Sequence, residues 1–525
     1  MVKCLVHMKE LIYPIGIQDF ARIRQAGMVY VDKTGLVYRM VSQGDAYFLS
    51  RPRRFGKSLL VSTLKYYFEG RHDLFEGLEI DKLEKEWNHH EVVLLDMSSV
   101  KVLNIEDLHS LLDFVLGKFE KQYDIQPKPN SNYGVRLTEV VTAAAARSHD
   151  GRAVVLIDEY DSPMLDCLND ETLLAQVRDI MRAFYSPLKQ LAPQLRFLFL
   201  TGITKFSQLS IFSELNNLEN ISMVPGWDAL CGITVDEMHR YMEAGLDELA
   251  ASHGCSKDEI LDSLKAQYDG YHFSRALVDI YNPFSLIRAF KSKELWPFWF
   301  ESGTPTWLFD VMAQTNFEID DLEDIEATQN RFERPAERVN DAVPVLFQSG
   351  YLTIKGYDRD SGQYTLGIPN REVQTGLNEA FVKFVKASPD SNEWLRSGYF
   401  KWRRGKIELG EFMQLLKDFY ASIPYDISND NERHYQAILY AVLTSFGADV
   451  KCEDRTANGR ADLVLRMPDA IYVIELKYGK TVAEAMEQLH RKDYAAKYRH
   501  DGRPVRLLGI NLAGDTRTID AWQLE

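Results

Sequence analysis

The sequence predicts a multidomain α/β protein: a doubly wound parallel sheet first, a helical and winged-helix-like middle region, and a smaller α/β domain last. Three observations predict it. Short β-branched runs alternate with helical patterns as far as residue 235, the order of a parallel sheet flanked by helices. Residues 236–340 then read as mostly helical and rich in aromatic side chains. Finally, two β-rich runs around Pro468-Asp469 read as a hairpin with a helical pattern on either side. The expected domains are 1–235, 236–424 and 425–525, with the last boundary in the polar stretch Ser422–Asn431.

The chain has 525 residues, enough for several domains with substantial cores. Its 45% hydrophobic and 26% charged content are ordinary for a globular protein. No apolar run approaches the ~18–20 residues of a membrane helix, so no membrane partner is expected. The opening Met1-Val2-Lys3-Cys4 lacks the basic-then-apolar layout of a signal peptide. Cysteines 4, 167, 231, 255 and 452 are scattered without a CxxC pair, which points away from zinc and disulfide frameworks and toward a reducing cytoplasm. A net charge of −16 argues against a surface coated in basic residues, but leaves room for a local basic groove.

The first strand, Ala46–Ser50, runs into Arg-Pro-Arg-Arg-Phe-Gly-Lys-Ser (51–58), which opens the helical pattern Ser58–Phe68. Gly56-Lys57-Ser58 has the chemistry of a P-loop. Backbone N–H groups at a helix start cradle phosphates, the lysine reaches the β/γ oxygens, and the hydroxyl binds Mg²⁺. Arg53, Arg54 and Phe55 complete the loop around a bound ATP. The pattern asks for glycine at position 51, where this chain has Arg51. A second strand, Ala153–Ile157, ends in Asp158-Glu159, the layout of a Walker B strand. Asp158 is placed to hold Mg²⁺ through water, and Glu159 to polarise the attacking water. Val92–Asp96 and Arg196–Thr201 are further strands. The latter ends in Thr201, Thr204 and Lys205, and beside the Walker B strand Thr201 is positioned as a γ-phosphate sensor; ordinary loop polarity is the other reading.

In the middle region, Tyr268-Asp269-Gly270-Tyr271 and Tyr281-Asn282-Pro283-Phe284 read as turns, with their aromatics in the core. A helix over Val345–Ser349 is followed by strands Tyr351–Tyr357 and Gln363–Ile368, a helix plus hairpin compatible with a winged-helix-like module in a structural or lid role.

Residues 460–477 carry the second constellation. With the turn centred on Pro468-Asp469, Leu463 faces Ile474 and Ala461 faces Leu476 on an apolar side. Asp462 faces Glu475 on the other side, and Lys477 shares that side. Two carboxylates within reach of each other suit a hard divalent cation, Mg²⁺ or Mn²⁺. Such a metal polarises a scissile phosphate, and Lys477 positions water or stabilises developing charge. Aspartate followed by Glu-x-Lys on the next strand is the PD-(D/E)XK nuclease signature. The bland alternative is a surface ion cluster. A helix over Asp430–Ser445 carries Glu432 in its first turn, and Thr481-x-x-Glu484 is a capping box for a later helix that bears Gln488. From His490 to Arg506, six basic residues (Arg491, Lys492, Lys497, Arg499, Arg503, Arg506) outnumber two acids, interleaved with Tyr494 and Tyr498. This is the best candidate for phosphate-backbone contact, with a solvated helix face as its rival.

Taken together, several segments resemble a bacterial family that joins an AAA-ATPase-like domain to a C-terminal PD-(D/E)XK nuclease-superfamily domain. They are Tyr13–Gly16, Val31–Thr34, Arg51–Ser58, Leu156–Asp161, Thr201–Glu214, Asn216–Leu218, Gly350–Thr353 and Gly459–Lys477. The resemblance spans nearly the whole chain, and Arg51 looks like the family's own form of the P-loop. It implies an AAA-type ATPase core, an intermediate helical and winged region, and a restriction-endonuclease-like α/β fold. In such nucleases a glutamate on the first helix often joins the metal site, as Glu432 would here, and a polar residue on the later helix faces it, as Gln488 would.

The leading expectation is an ATP- and Mg²⁺-dependent nuclease acting on nucleic acid, most naturally DNA. ATP lies at Lys57, Ser58 and Asp158, and cleavage at Asp462, Glu475 and Lys477. The rival is a nucleotide-gated binding or regulatory switch whose nuclease-like domain holds nucleic acid or a protein partner without cutting. A homo-oligomeric ring is a third arrangement, with Arg182 or Arg196 reaching a neighbour's γ-phosphate.

Overall fold

A computed structural model describes residues 11–126, 131–168, 170–205, 218–302, 308–309, 311–312, 315, 322–334, 341–386, 393–423, 431–456 and 459–525. The chain divides into two compact units, residues 1–301 with 324–372, and residues 302–323 with 373–525.

The first unit is built on a five-stranded parallel sheet of order β2-β3-β4-β1-β5. Its strands are β1 (Ala46–Ser50), β2 (Val92–Asp96), β3 (Ala153–Asp158), β4 (Leu195–Gly202) and β5 (Glu219–Asn220). β3 is buried at every position, as a continuous apolar run covered on both faces requires. Asparagine or aspartate caps start the covering helices Ile105–Gln122, Tyr133–Ala145 and Glu171–Tyr185, each accepting from a first-turn N–H. Their apolar stripes (Leu112, Val115, Leu137, Val141, Val177, Met181) pack on Val93, Val155, Ile157 and Leu200. Each such side chain contributes roughly 1.5–3 kcal/mol on burial. The order of strands matters for function. β4 lies between β1, which feeds the P-loop, and β3, which ends at Asp158.

Three capped helices follow: Val235–His253, Lys257–Tyr268 and Pro283–Ser292. The two expected turns are instead helix boundaries: Tyr268 ends the second helix, with Gly270 at φ +83 just beyond it, and Asn282 caps the third, which already includes Pro283 and Phe284. The Val343–Gln348 helix and the hairpin β7 (Thr353–Asp358)–β8 (Gln363–Gly367) match the expected helix plus hairpin. One strand is additional: β6 (Ile325–Thr328) pairs with β8, giving a three-stranded sheet β6-β8-β7. Only one of its four residues, Ala327, is buried, so its sequence lacks the alternation that announces a strand. The motif segments Phe206-Ser207, Ile211–Ser213 and Asn216-Asn217 lie outside the described residues.

The second unit carries a mixed sheet of order β13-β12-β11-β10-β9. Its strands are β9 (Asp449–Thr456), β10 (Gly459–Arg466), β11 (Ile471–Tyr478), β12 (Val505–Leu512) and β13 (Ile519–Leu524). All neighbours are antiparallel except β11 and β12. The helices Glu432–Ser445 and Val482–Lys492 pack on it. The former is buried from His434 to Ser445, the mark of a central helix. The helices Glu393–Arg403 and Leu409–Ala421 also belong to this unit; Trp402 meets Tyr472 of β11 edge-on at 5.2 Å. The expected boundary at 424/425 therefore falls inside one compact unit.

The hairpin register is as expected, with Leu463 opposite Ile474 and Arg466 opposite Ile471. The apolar side and the side that bears Asp462, Glu475 and Lys477 are both covered. Leu463, Val464, Val473 and Ile474 are all buried, because helices cover the sheet. Asp462, Glu475 and Lys477 are consequently buried too.

Candidate functional site

The P-loop leaves β1 at Ser50 and ends at Gly56, whose φ of +92 is open to glycine at little cost. Gly56 caps the Lys57–Phe68 helix with no side-chain bond, so the cap residue leaves the first-turn backbone N–H groups unsatisfied by a side chain, as a phosphate cradle requires. Lys57 is buried, and its Nζ donates to the carbonyls of Arg51 (2.9 Å) and Pro52 (3.1 Å). Burial lowers its pKa, opposed by the charges of Glu159, Asp158 and Asp161. Burial pushes Asp158 up to about 6, against the lowering influence of the nearby Ser58 hydroxyl and the Lys57 charge. Two expected metal-binding residues thus lie close together, and a divalent cation fits this hydroxyl–carboxylate pair. Glu159 is half-buried, takes a left-handed φ of +49, and donates its N–H to Asp158 Oδ1 (3.0 Å).

Several of the residues expected at the loop are engaged elsewhere. Arg51 is buried. Its guanidinium donates to the carbonyls of Ser50, Ser222 and Trp227 and stacks 4.0 Å from the Phe273 ring. It therefore pins the base of the loop. Arg54 lies over Phe284 (3.8 Å) and donates to Phe298 O, and Phe55 packs edge-on against Tyr271 and Phe273. Both are drawn into the helical region. Arg53 stays exposed at the tip. Thr201 is fully buried, its hydroxyl donating to Leu49 O of β1 (2.9 Å), so it closes the sheet where a sensor was expected. Arg196 donates to Val41 O, leaving Arg182 as the exposed member of the two ring-finger candidates.

Beside Gly56 opens a mostly apolar cleft, lined by Tyr30, Val31, Lys33, Leu59, Cys231 and Ile287 among others. Lys33 crosses to Glu237 at 2.6 Å. Sequence reasoning assigned no role to these segments, although Val31–Thr34 was among the family motifs.

In the second unit, the β10–β11 ladder ends at Leu463/Ile474, and beyond it Asp462 Oδ2 accepts the N–H of Leu476 (2.7 Å). Lys477 Nζ donates to Glu475 Oε1 (2.9 Å), Glu432 Oε1 (3.0 Å) and Leu476 O (2.8 Å). The other oxygen of Glu475, Oε2, is buried and has no partner. Burial and then the Glu475 charge hold Asp462 well above the ordinary carboxylate range; burial does the same to Glu475, partly offset by Lys477. Burial pulls Lys477 down, but Glu475 and Glu432 more than offset it, so its pKa is raised. Two crowded buried carboxyls and an orphaned oxygen fit a divalent cation. Among the described residues, no three His, Cys, Asp or Glu side chains gather into a ligand set. Glu432 reaches the carboxylates through Lys477, where direct ligation was expected.

Gln436 and Glu453 were missed. Gln436 lies one turn beyond Glu432 and donates to Asp462 O (3.2 Å), Glu453 Oε1 (3.0 Å) and Cys452 Sγ (3.0 Å). The i, i+4 spacing from Glu432 was the available signal. Gln488 lies beside Tyr494, whose pKa burial raises, with the nearby Glu475 and Asp462 charges adding to it. Tyr494 and Tyr498 are 2% and 4% exposed in the core, so neither offers a ring face to a base. Lys497 pairs with Asp454 (2.7 Å) and Arg499 with Asp493 (2.6 Å), while Arg491 is exposed and Lys492 half-buried.

A P-loop strand order and a buried Asp/Glu/Lys hairpin define a protein with an ATPase-type domain and a nuclease-type domain. Comparisons agree. A family model described as Predicted AAA-ATPase matches residues 14–212, and one described as PD-(D/E)XK nuclease superfamily matches residues 430–522. An uncharacterized protein in the vnfD 5' region of Azotobacter chroococcum mcd 1 is 36% identical over 527 residues, 98% of either chain. The chain belongs to the family that joins a predicted AAA-ATPase domain to a C-terminal PD-(D/E)XK nuclease-superfamily domain. No described helix is long and apolar enough to cross a membrane.

Proposed function

We propose that the protein binds and hydrolyses ATP at the P-loop and cleaves nucleic acid phosphodiesters, DNA first among them, at the hairpin. The observation that carries the nuclease reading is the orphaned, buried Glu475 Oε2 beside Asp462 and Lys477. A divalent cation, Mg²⁺ or Mn²⁺, supplies Lewis-acid polarisation and an acidified water when bound there. Asp462 and Glu475 hold it, and Lys477 orients the nucleophile or the phosphate from its place between Glu475 and Glu432. At the other site Lys57 exchanges its two carbonyl partners for phosphate oxygens, and Ser58 and Asp158 hold the metal. Glu159 orients water, and the apolar cleft beside Gly56 takes the base.

The rival, a nucleotide-gated switch that binds without cutting, draws support from one feature. Lys497 and Arg499 are neutralised by Asp454 and Asp493. The deciding experiment is cleavage of plasmid and single-stranded DNA with Mg²⁺ or Mn²⁺, with and without ATP, by the parent, Lys57→Ala and Glu475→Ala. Metal-dependent cutting that disappears in Glu475→Ala is expected. No cutting on any substrate, with ATP hydrolysis intact, turns the assignment to the switch.

A further inference from the structure

A chain of buried and partly buried hydrogen bonds runs from the Walker B turn to the helix that precedes the β7–β8 wing. It begins three residues past Asp158. Asp161 is fully buried, and its Oδ2 accepts from Ile203 N (3.0 Å), Thr204 N (2.6 Å) and Thr204 Oγ1 (2.8 Å). These residues follow the end of β4, between the P-loop strand and the Asp158 strand. The next residue, Lys205, donates its N–H to Gln348 Oε1 (3.0 Å). Gln348, the last residue of the Val343–Gln348 helix, donates its amide to Phe332 O (3.1 Å) and Arg334 O (2.7 Å). Two residues on, Gly350 at φ +87 lies against the P-loop itself. A side chain there would start 2.6 Å from Pro52 Cβ.

One turn, 348–350, therefore touches both segments that flank the phosphate position. Gln348 joins three separate stretches of chain, and an apolar residue in its place would strand one N–H and two carbonyls. The link also has a physical trigger. Lys57 now donates to Pro52 O and Arg51 O. A phosphate that takes the ammonium releases those carbonyls, and the loop must repack against Gly350. That gives the turn a different environment in the two states, which a population shift requires.

We propose that Gln348 is a positioning residue of the ATP site through which the β6–β8 wing registers nucleotide. The proposal rests on the ATP-binding reading. It is tested on the full-length protein by hydrogen exchange across residues 343–367, with and without a non-hydrolysable ATP analogue and Mg²⁺. Occupancy is followed independently with a fluorescent nucleotide. In the parent, exchange in this segment should change at least ~threefold on saturation. In Gln348→Leu, nucleotide affinity and KM should stay within ~threefold, kcat should fall ~tenfold, and exchange in 353–367 should no longer respond. Unchanged exchange in the saturated parent overturns the proposal without any variant. A Gln348→Leu protein that hydrolyses and responds like the parent overturns it as well. If the parent binds no nucleotide at all, the ATP reading fails first and takes this inference with it.

Discussion

Two buried lysines, each near carboxylates, have opposite electrostatics. Lys57 rests on two neutral carbonyls, and burial lowers its pKa. Lys477 rests on Glu475 and Glu432, and its pKa is raised. Around Lys57 there is a cation in want of an anion. Around Lys477 the cation is already matched, and the unmet need lies with the carboxylates, in Glu475 Oε2 and its crowded neighbour Asp462. A phosphate suits the first deficit and a divalent metal the second. The same residue type, buried in both places, thus suits two different ligands, and what its ammonium touches makes the difference.

The largest test of this contrast is functional. Asp462→Ala should cut nuclease activity by at least ~100-fold and leave ATP hydrolysis within ~twofold, whereas Lys57→Ala should cut ATP hydrolysis by at least ~100-fold. Loss of both activities in folded Asp462→Ala would break the two-site picture. Stability should separate the lysines next. Lys477→Met strands two carboxylates, one fully buried, and should cost ~2–4 kcal/mol in chemical denaturation. Lys57→Met removes a desolvated charge that has only carbonyl partners and should change stability by no more than ~1 kcal/mol. Equal losses would erase the distinction.

A third buried carboxylate sharpens it. Glu372 accepts Trp299 N (2.9 Å), has an unpartnered Oε2, and burial pushes it from 4.5 up to about 7. Its folded pKa is the higher one, so the stability it contributes is complete below pH 4.5 and is lost as pH rises through 7. Glu372→Gln, neutral throughout, should therefore match the parent near pH 4 and exceed it by up to ~3 kcal/mol at pH 8. A constant difference across that range would refute the assignment. The smallest effect concerns the metal. At [Mg²⁺] near ten times Kd, the transition of the second unit should gain ~1.4 kcal/mol, and Glu475→Gln should abolish the gain.

Much of this was legible in the sequence. β1, β2 and β3 fall on the expected residues, because strands buried on both faces must be short continuous apolar runs. The Thr481/Glu484 capping box forms as written, since both partners lie within one turn. The hairpin register followed from its turn. What was missed involves partners far apart along the chain or signals that are weak locally. Thr201 and Arg54 carry the right groups for a phosphate site, yet their bonds go to Leu49 O and Phe298 O. Gln348 and Lys205 are separated by 143 positions, and nothing near either announces the other. β6 has too few buried residues to show a period.

By itself, then, the sequence determined the strands, caps and hairpin register, because apolar period and turn chemistry act over a few residues. It also placed glycine, lysine and acids where phosphate and metal chemistry need them. Only the tertiary structure decided which polar groups are free and which are spent. That outcome depends on desolvation and on partners brought in from distant segments, so the lysines, threonine and arginines took their roles only once the sheets and helices had closed around them.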